Sequence, residues 1–175
     1  MAKRGEFTLE EEVKIKSGVL NTIIAMYQVA VSKVLGSGSA AMTQIILREA
    51  TRLADEMFSK LGYELPEVEA LEEEITDVFK MFGFSQKVEV ETPEAGKHAD
   101  VGSEYVIKVY DSIFKPVAYM LMQKGIKYTL SPESFLAAYI IQKALEKKGV
   151  KAKVRINVEP LKSLDEPLVI RVTIR

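Results

Sequence analysis

His98 is the only histidine in the chain and stands in a polar loop beside Glu94 and Asp100. A catalytic base or metal ligand needs orienting partners on rigid elements. This loop's sequence supplies none, so His98 reads as a surface residue. Cysteine is absent altogether, which excludes disulfides, thiolate metal sites and a cysteine nucleophile together. Gly36-x-Gly38-x-x-Ala41 has the spacing of a dinucleotide fingerprint, but that motif needs a strand in front of it, and here a helical stripe precedes. It reads as a helix–helix corner. The glutamates from Glu67 to Glu74 could attract a cation, yet carboxylates spread round a helix do not converge on one oxygen cage. They read as a solvated face matched to the helix dipole. Lys151, Lys153, Arg155, Arg171 and Arg175 could make a basic strip, without the interleaved aromatics that single-stranded nucleic acid stacks on. No catalytic residue, metal or cofactor is therefore expected.

The better chemical prospect is apolar. Met26, Met42, Met57, Met81, Met120 and Met122 are numerous, and Tyr27, Tyr105, Tyr119, Tyr128 and Tyr139 add aromatic surface with a polar tip. Flexible thioethers and tyrosines can line an adaptable pocket, and they also make ordinary core.

The elements that would position these residues follow from periodicity. Leu20, Ile23, Ile24, Tyr27, Ala30, Val31, Val34 and Leu35 give a helical stripe ending at Gly36. The stretch 36–62 reads as the helix that organises the rest. Ser37 or Ser39 can cap it and Gly62 can close it, with Met42, Ile46, Ala50, Leu53, Met57 and Leu61 along one face. Leu47, Ala54 and Phe58 widen that face. Pro66 is placed for the first turn of a third helix, which carries Val68, Leu71, Ile75, Val78 and Phe82 and stops at Gly83.

From Lys87 the period changes to two. Val88 and Val90, then Tyr105, Ile107 and Val109, predict an antiparallel pair. Asp111 or Ser112 can cap a helix over 115–124, and 126–130 is a short strand or an extended link. Ser131-Pro132-Glu133 opens a helix with a cap, a first-turn proline and an early carboxylate. Val154, Ile156 and Val158, then Ile170, Val172 and Ile174, predict a second strand pair. The order α-α-α-β-β-α-α-β-β predicts an α+β fold with an antiparallel sheet. Residues 1–16 read as a charged N-terminal segment and 17–175 as one domain, a size that buries roughly 70% of its extended-chain surface. If the two hairpins lie side by side, Glu89 and Glu91 should meet cations among Lys153, Arg155, Arg171 and Arg175.

With 24 Lys+Arg against 25 Asp+Glu, no global field draws nucleic acid or anionic lipid. The most apolar run, 19–35, holds Asn21, Thr22, Gln28, Ser32 and Lys33, which a bilayer core tolerates poorly. A cytoplasmic protein fits these features, and high Lys and Glu without Cys or Trp is compatible with a thermophile.

Taken piece by piece, the chain resembles the 4-vinyl reductase domain family, small-molecule-binding domains related to subunits of the vesicle-tethering TRAPP complex. The matching stretches are Gly38-Ser39-Ala40-Ala41-Met42 with Leu47-Arg48-Glu49-Ala50, and Phe79-Lys80-Met81-Phe82-Gly83-Phe84 leading into Lys87-Val88-Glu89-Val90. Val109-Tyr110-Asp111-Ser112, Ser131-Pro132-Glu133-Ser134-Phe135-Leu136-Ala137-Ala138 and the ending from Asp165 to Val172 follow in the family's order, covering 36–175. The resemblance implies a four-stranded antiparallel sheet on helices, dimerisation, and a buried apolar cavity for a hydrocarbon or acyl-like ligand. Where the family often carries cysteines, this chain has Ser134 and Leu168, so neither a thiol-held metal nor an acylated cysteine is expected. A vinyl-reductase activity would need a redox or nicotinamide motif, and none is present.

The expected function is a non-enzymatic apolar-ligand module. The alternative is an assembly subunit without a ligand, and an enzyme acting on a tetrapyrrole side chain comes third. The cavity is expected between the 36–62 helix and the sheet, lined by Leu53, Met57, Tyr119, Met120, Phe135 and Tyr139. The N-terminal stripe, through Leu20, Ile23, Ile24, Tyr27, Val31 and Val34, is expected to form a homodimer interface, because it exceeds what one neighbour covers.

Overall fold

The protein is described as a computed structural model over residues 8–35, 39–64, 67–94, 96–128 and 131–175. Alternating apolar residues build the sheet. Strands β1 (Val88–Glu91), β2 (Glu104–Val109), β3 (Val154–Val158) and β4 (Leu168–Ile174) are all antiparallel, in the order β1-β2-β4-β3. The register sets Val90, Ile107, Ile170 and Val158 in one row and Tyr105, Val172 and Ile156 in another, all on the inner face. Period two then sends Glu89, Glu91, Glu104, Lys108, Arg171 and Arg155 to the outer face.

That outer face is charge-matched, though with other partners than the sequence suggests. β1 is an edge strand beside β2 only. Glu91 therefore pairs with Lys108, and Glu89 accepts the Tyr110 hydroxyl at 2.7 Å. Arg171 on β4 bridges Glu104 and Glu159. The hairpins do meet, but through β2 and β4, which keeps the glutamates of β1 three strands away from β3.

Among the described residues, five α-helices cover the inner face and its flanks. α1 spans Leu9–Leu35, α2 Ser39–Lys60, α3 Leu71–Met81, α4 Lys115–Gln123 and α5 Pro132–Lys147, and a 3-10 turn over Val68–Ala70 leads into α3. The α+β class and element order are those the sequence predicts. α1 begins at Leu9, inside the charged stretch and well before its apolar stripe. The Gly36-Ser37-Gly38 corner, the side chains of Ser39, Met42 and Leu47, and Pro66, Thr129 and Leu130 lie outside the described residues. Ile126–Tyr128 forms no strand.

The hub is α5, not α2. Ser131 caps it by accepting the Ser134 amide at 3.2 Å, and Pro132 occupies the first turn. Leu136, Ala137, Ala138, Tyr139, Ile140, Ile141, Ala144 and Leu145 are all buried, so the helix is covered round most of its circumference. It packs against α2, α3, β3 and β4. α2 packs mainly on α5, and the face it turns to α5 carries Ala54 and Phe58. Leu53 (56% exposed) and Leu61 (60%) of the longer stripe stay in solvent. At its end Gly62 takes φ +64°, and Tyr63 N–H reaches back to the Phe58 carbonyl at 3.0 Å.

Two polar devices fix the turns beneath the helices. Asp111 does not cap α4. It accepts the Ser85 hydroxyl and the amides of Gln86 and Lys87, holding the chain between α3 and β1. Ser112 accepts the Phe114 amide at 3.0 Å at the entrance to α4. The glutamates leading into α3 reach the end of α5: Glu67 pairs with Lys147 at 2.7 Å and Glu69 with Lys148.

Candidate functional site

Three helical signals produce one concave surface. On α2, Ala50 and Ala54 lie one turn apart, and their missing side-chain volume leaves a notch flanked by Leu53 and Met57. On α5, Pro132, Phe135, Leu136 and Tyr139 fall on the side facing that notch. The turn after α3 supplies Phe82 and Phe84, aimed by Gly83 at φ +66°. Together these ten residues line a groove of about 350 Å³, open to solvent along one side. That size is at the lower end of ligand pockets, roughly 300–1,000 Å³.

The groove's walls are pre-organised by aromatic packing. Phe58, almost fully buried, stacks on Tyr139 with centroids 5.3 Å apart and planes 16° from parallel. It also meets Phe82 edge-on at 6.0 Å. Phe84 packs edge-on against Phe114 at 5.3 Å. Such pairs contribute about 0.5–1.5 kcal/mol each beyond burial.

Of the ten lining residues, only Tyr139 carries a side-chain oxygen or nitrogen. Its hydroxyl donates to Asp55 Oδ1 at 3.0 Å, and the same oxygen receives Lys143 Nζ at 3.1 Å. Lys143 also reaches Glu146 at 3.1 Å. Burial, then the bond to Asp55, holds the Tyr139 proton well above the ordinary phenol range.

The structure thus brings together Leu53, Met57, Phe135 and Tyr139 from the sequence expectation. It places Tyr119 and Met120 elsewhere. The core stripe of α4 is Phe114, Val117, Ala118 and Leu121, so Met120 turns outward (39% exposed) and Tyr119 is half-buried beside α4's own neighbours. α4 packs against α1, away from the groove. The groove also lies between α2 and α5 rather than between α2 and the sheet, because α5 itself covers the sheet. Ala50, Ala54, Phe82, Phe84, Pro132 and Leu136 were not foreseen as lining. The alanine pair and the Phe-Gly-Phe turn are the sequence signals that could have found them.

α1 packs on α4 through Ala25, Gln28 and Ile24, and Asn21 donates to the Ile113 carbonyl at 2.6 Å. Its other face is apolar and open. Ile23 is 58% exposed, Met26 68% and Val34 81%, with Val19, Leu20 and Tyr27 also exposed. Ile24 and Val31 are half-buried. The six residues foreseen as an interface therefore divide between this open face and the contact inside the chain.

His98 is half-buried rather than a free surface residue. Its Nδ1 lies 3.2 Å from the Tyr105 hydroxyl, which donates to the His98 carbonyl at 3.1 Å. Burial pushes Tyr105 up to about 12. A second buried polar group, the Glu133 carboxylate, receives the hydroxyls of Ser112 and Ser131 at the head of α5. Among the described residues, no cluster of three or more histidines or carboxylates could hold a metal ion, and no helix is long and apolar enough to cross a membrane.

No family model matches the chain. Over 145 residues it is 34% identical to the uncharacterized protein MJ0312 of Methanocaldococcus jannaschii, the alignment covering 80% of this chain and 68% of that protein. The chain belongs to that protein's family. The relative's name states no activity, so the functional reading rests on the groove.

Proposed function

We propose that the protein is a binding module for an apolar small molecule, held in the groove between α2, α5 and the Phe82–Phe84 turn, and that it is not an enzyme. The observation that carries this reading is the lining: nine of ten residues offer only carbon or sulfur, and the tenth offers one hydroxyl. Apolar surface removed from water contributes about 25 cal/mol per Å², and the notch at Ala50 and Ala54 leaves room for a chain to claim it. The resemblance to the 4-vinyl reductase domain family supports the same ligand class, and a cytoplasmic setting suits it.

Addition of 1-decanol should raise the melting temperature. A ligand at a hundredfold excess over its dissociation constant stabilises the native state by about 2.7 kcal/mol, or roughly 5–10 °C for a domain of this size. Met57→Trp, at the groove's open edge (Met57 36% exposed), should fill the space and abolish the shift without unfolding the protein. No shift with the native chain would sink the reading.

A second reading has its own observation. The open apolar face of α1 has the character of an interface, and we infer that a second copy of the chain covers it. If the groove proves empty, this face makes the protein an assembly subunit.

A further inference from the structure

We propose that the groove selects an aliphatic ligand whose head donates a hydrogen bond, a hydroxyl above all, and rejects a carboxylate head. This inference rests on the apolar-ligand reading above and sharpens it.

Tyr139 is the one lining residue whose side chain carries an oxygen or nitrogen. Its hydrogen is already committed to Asp55 Oδ1, 3.0 Å away. A phenolic oxygen has one hydrogen to give and lone pairs to accept with. What remains open to a ligand is therefore acceptance only, and the ligand must bring the hydrogen. Rotation of the hydroxyl toward the groove would strip Asp55 of a neutral donor. Stacking on Phe58 (5.3 Å, 16°) holds the ring in place. Lys143 holds the same Asp55 oxygen at 3.1 Å.

Charge points the same way. The groups gathered behind Tyr139 are Asp55 and Glu146 against Lys143 alone, two negative charges to one positive. Lys143 is engaged by both carboxylates, whose charge more than offsets its own. An anionic head entering here would give up part of its hydration against apolar walls and meet a net negative cluster. A hydroxyl carries no such cost. A volume of about 350 Å³ suits a chain on the order of ten carbons, taking about 30 Å³ for each water-sized group.

Calorimetric titration of the full chain with 1-decanol and with decanoate, at about pH 8 where decanoate is ionised, tests this. In the native protein 1-decanol should bind at least about tenfold more tightly. Asp55→Asn keeps the shape, removes the charge, and should shrink that ratio several-fold, mainly by tighter decanoate binding. Tyr139→Phe should weaken 1-decanol by roughly three- to tenfold and leave decanoate little changed. Circular dichroism melts of each variant confirm folding. Equal binding of the two ligands by the native chain, or an unaltered ratio in Asp55→Asn, overturns the head-group inference while the apolar groove stands. Binding of neither ligand overturns both.

Discussion

Glu133→Gln should make the protein's stability less sensitive to pH. The Glu133 side chain is fully buried, and loss of hydration pushes its carboxyl up from the usual range. Hydrogen bonds from Ser112 and Ser131 pull it down without cancelling that effect. In the unfolded chain the same group titrates near 4.3. The folded state thus holds this proton more tightly than the unfolded state. Its favourable contribution is complete below about pH 4.3 and is lost as pH rises through the folded value. Each unit of upward shift corresponds to about 1.4 kcal/mol lost by neutral pH. Glutamine cannot ionise, so it escapes that loss. It does impose a constant cost of about 1 kcal/mol, because its amide meets Ser131, whose hydroxyl now has to accept from it while also capping Ser134. Urea unfolding of parent and variant at several values between pH 4.5 and 8 gives the difference directly. The variant should gain on the parent steadily as pH rises. A stability difference that is flat over this range would show that Glu133 titrates like a solvated carboxyl, and the argument would fail.

Other perturbations separate the remaining parts of the account. Phe58→Ala should cost about 3–5 kcal/mol in unfolding experiments, since the ring is 2% exposed and contacts Tyr63, Phe82 and Tyr139. A cost below 1 kcal/mol would mean the α2–α5 contact is loose. Asp111 behaves oppositely to Glu133. Burial pushes it up, but the bonds from Ser85, Lys87 and Gln86 together outweigh that and hold it below its ordinary value. Its contribution is therefore present above about pH 3.9 and is lost as pH falls through the folded value. Asp111→Ala should destabilise by about 2–3 kcal/mol at neutral pH and by progressively less in acid, as read from melts across that range. If a second copy covers α1, light scattering should give about twice 19.6 kDa for the native chain. Ile23→Glu with Tyr27→Glu should return it to the monomer mass, and a monomeric native chain at high concentration would refute the interface.

Much of this fold is legible from periodicity, because strands and caps are local. The Ser131-Pro132-Glu133 entrance, the glycine ends and the alternation from Val88 to Val109 each satisfy backbone requirements within a few residues. What local pattern does not carry is which neighbour covers which face. The stripe on α2 is so wide that Leu53, Met57 and Leu61 read as core. Only the position of α5 decides that Phe58 and Ala54 are inside. The same holds for α4, where Met120 resembles a lining residue until α1 is placed beside it. Sheet order is likewise non-local: Glu89 and Glu91 could not reveal that Lys108, one strand away, would be within reach and Arg155 would not. Four of the ten lining residues were legible as side chains on predicted helices. Of the other six, four depend on absent volume at Ala50 and Ala54 and on a turn that aims two phenylalanines, signals that a count of large residues overlooks.

Binding of an apolar ligand between α2 and α5 is tested most directly by nuclear Overhauser contact between added 1-decanol and methyl-labelled protein. Such binding predicts contacts from the alkyl chain to the methyls of Leu53, Met57 and Leu136. Contacts confined to Ile23, Met26 and Val34 on α1, or none at all, would contradict it.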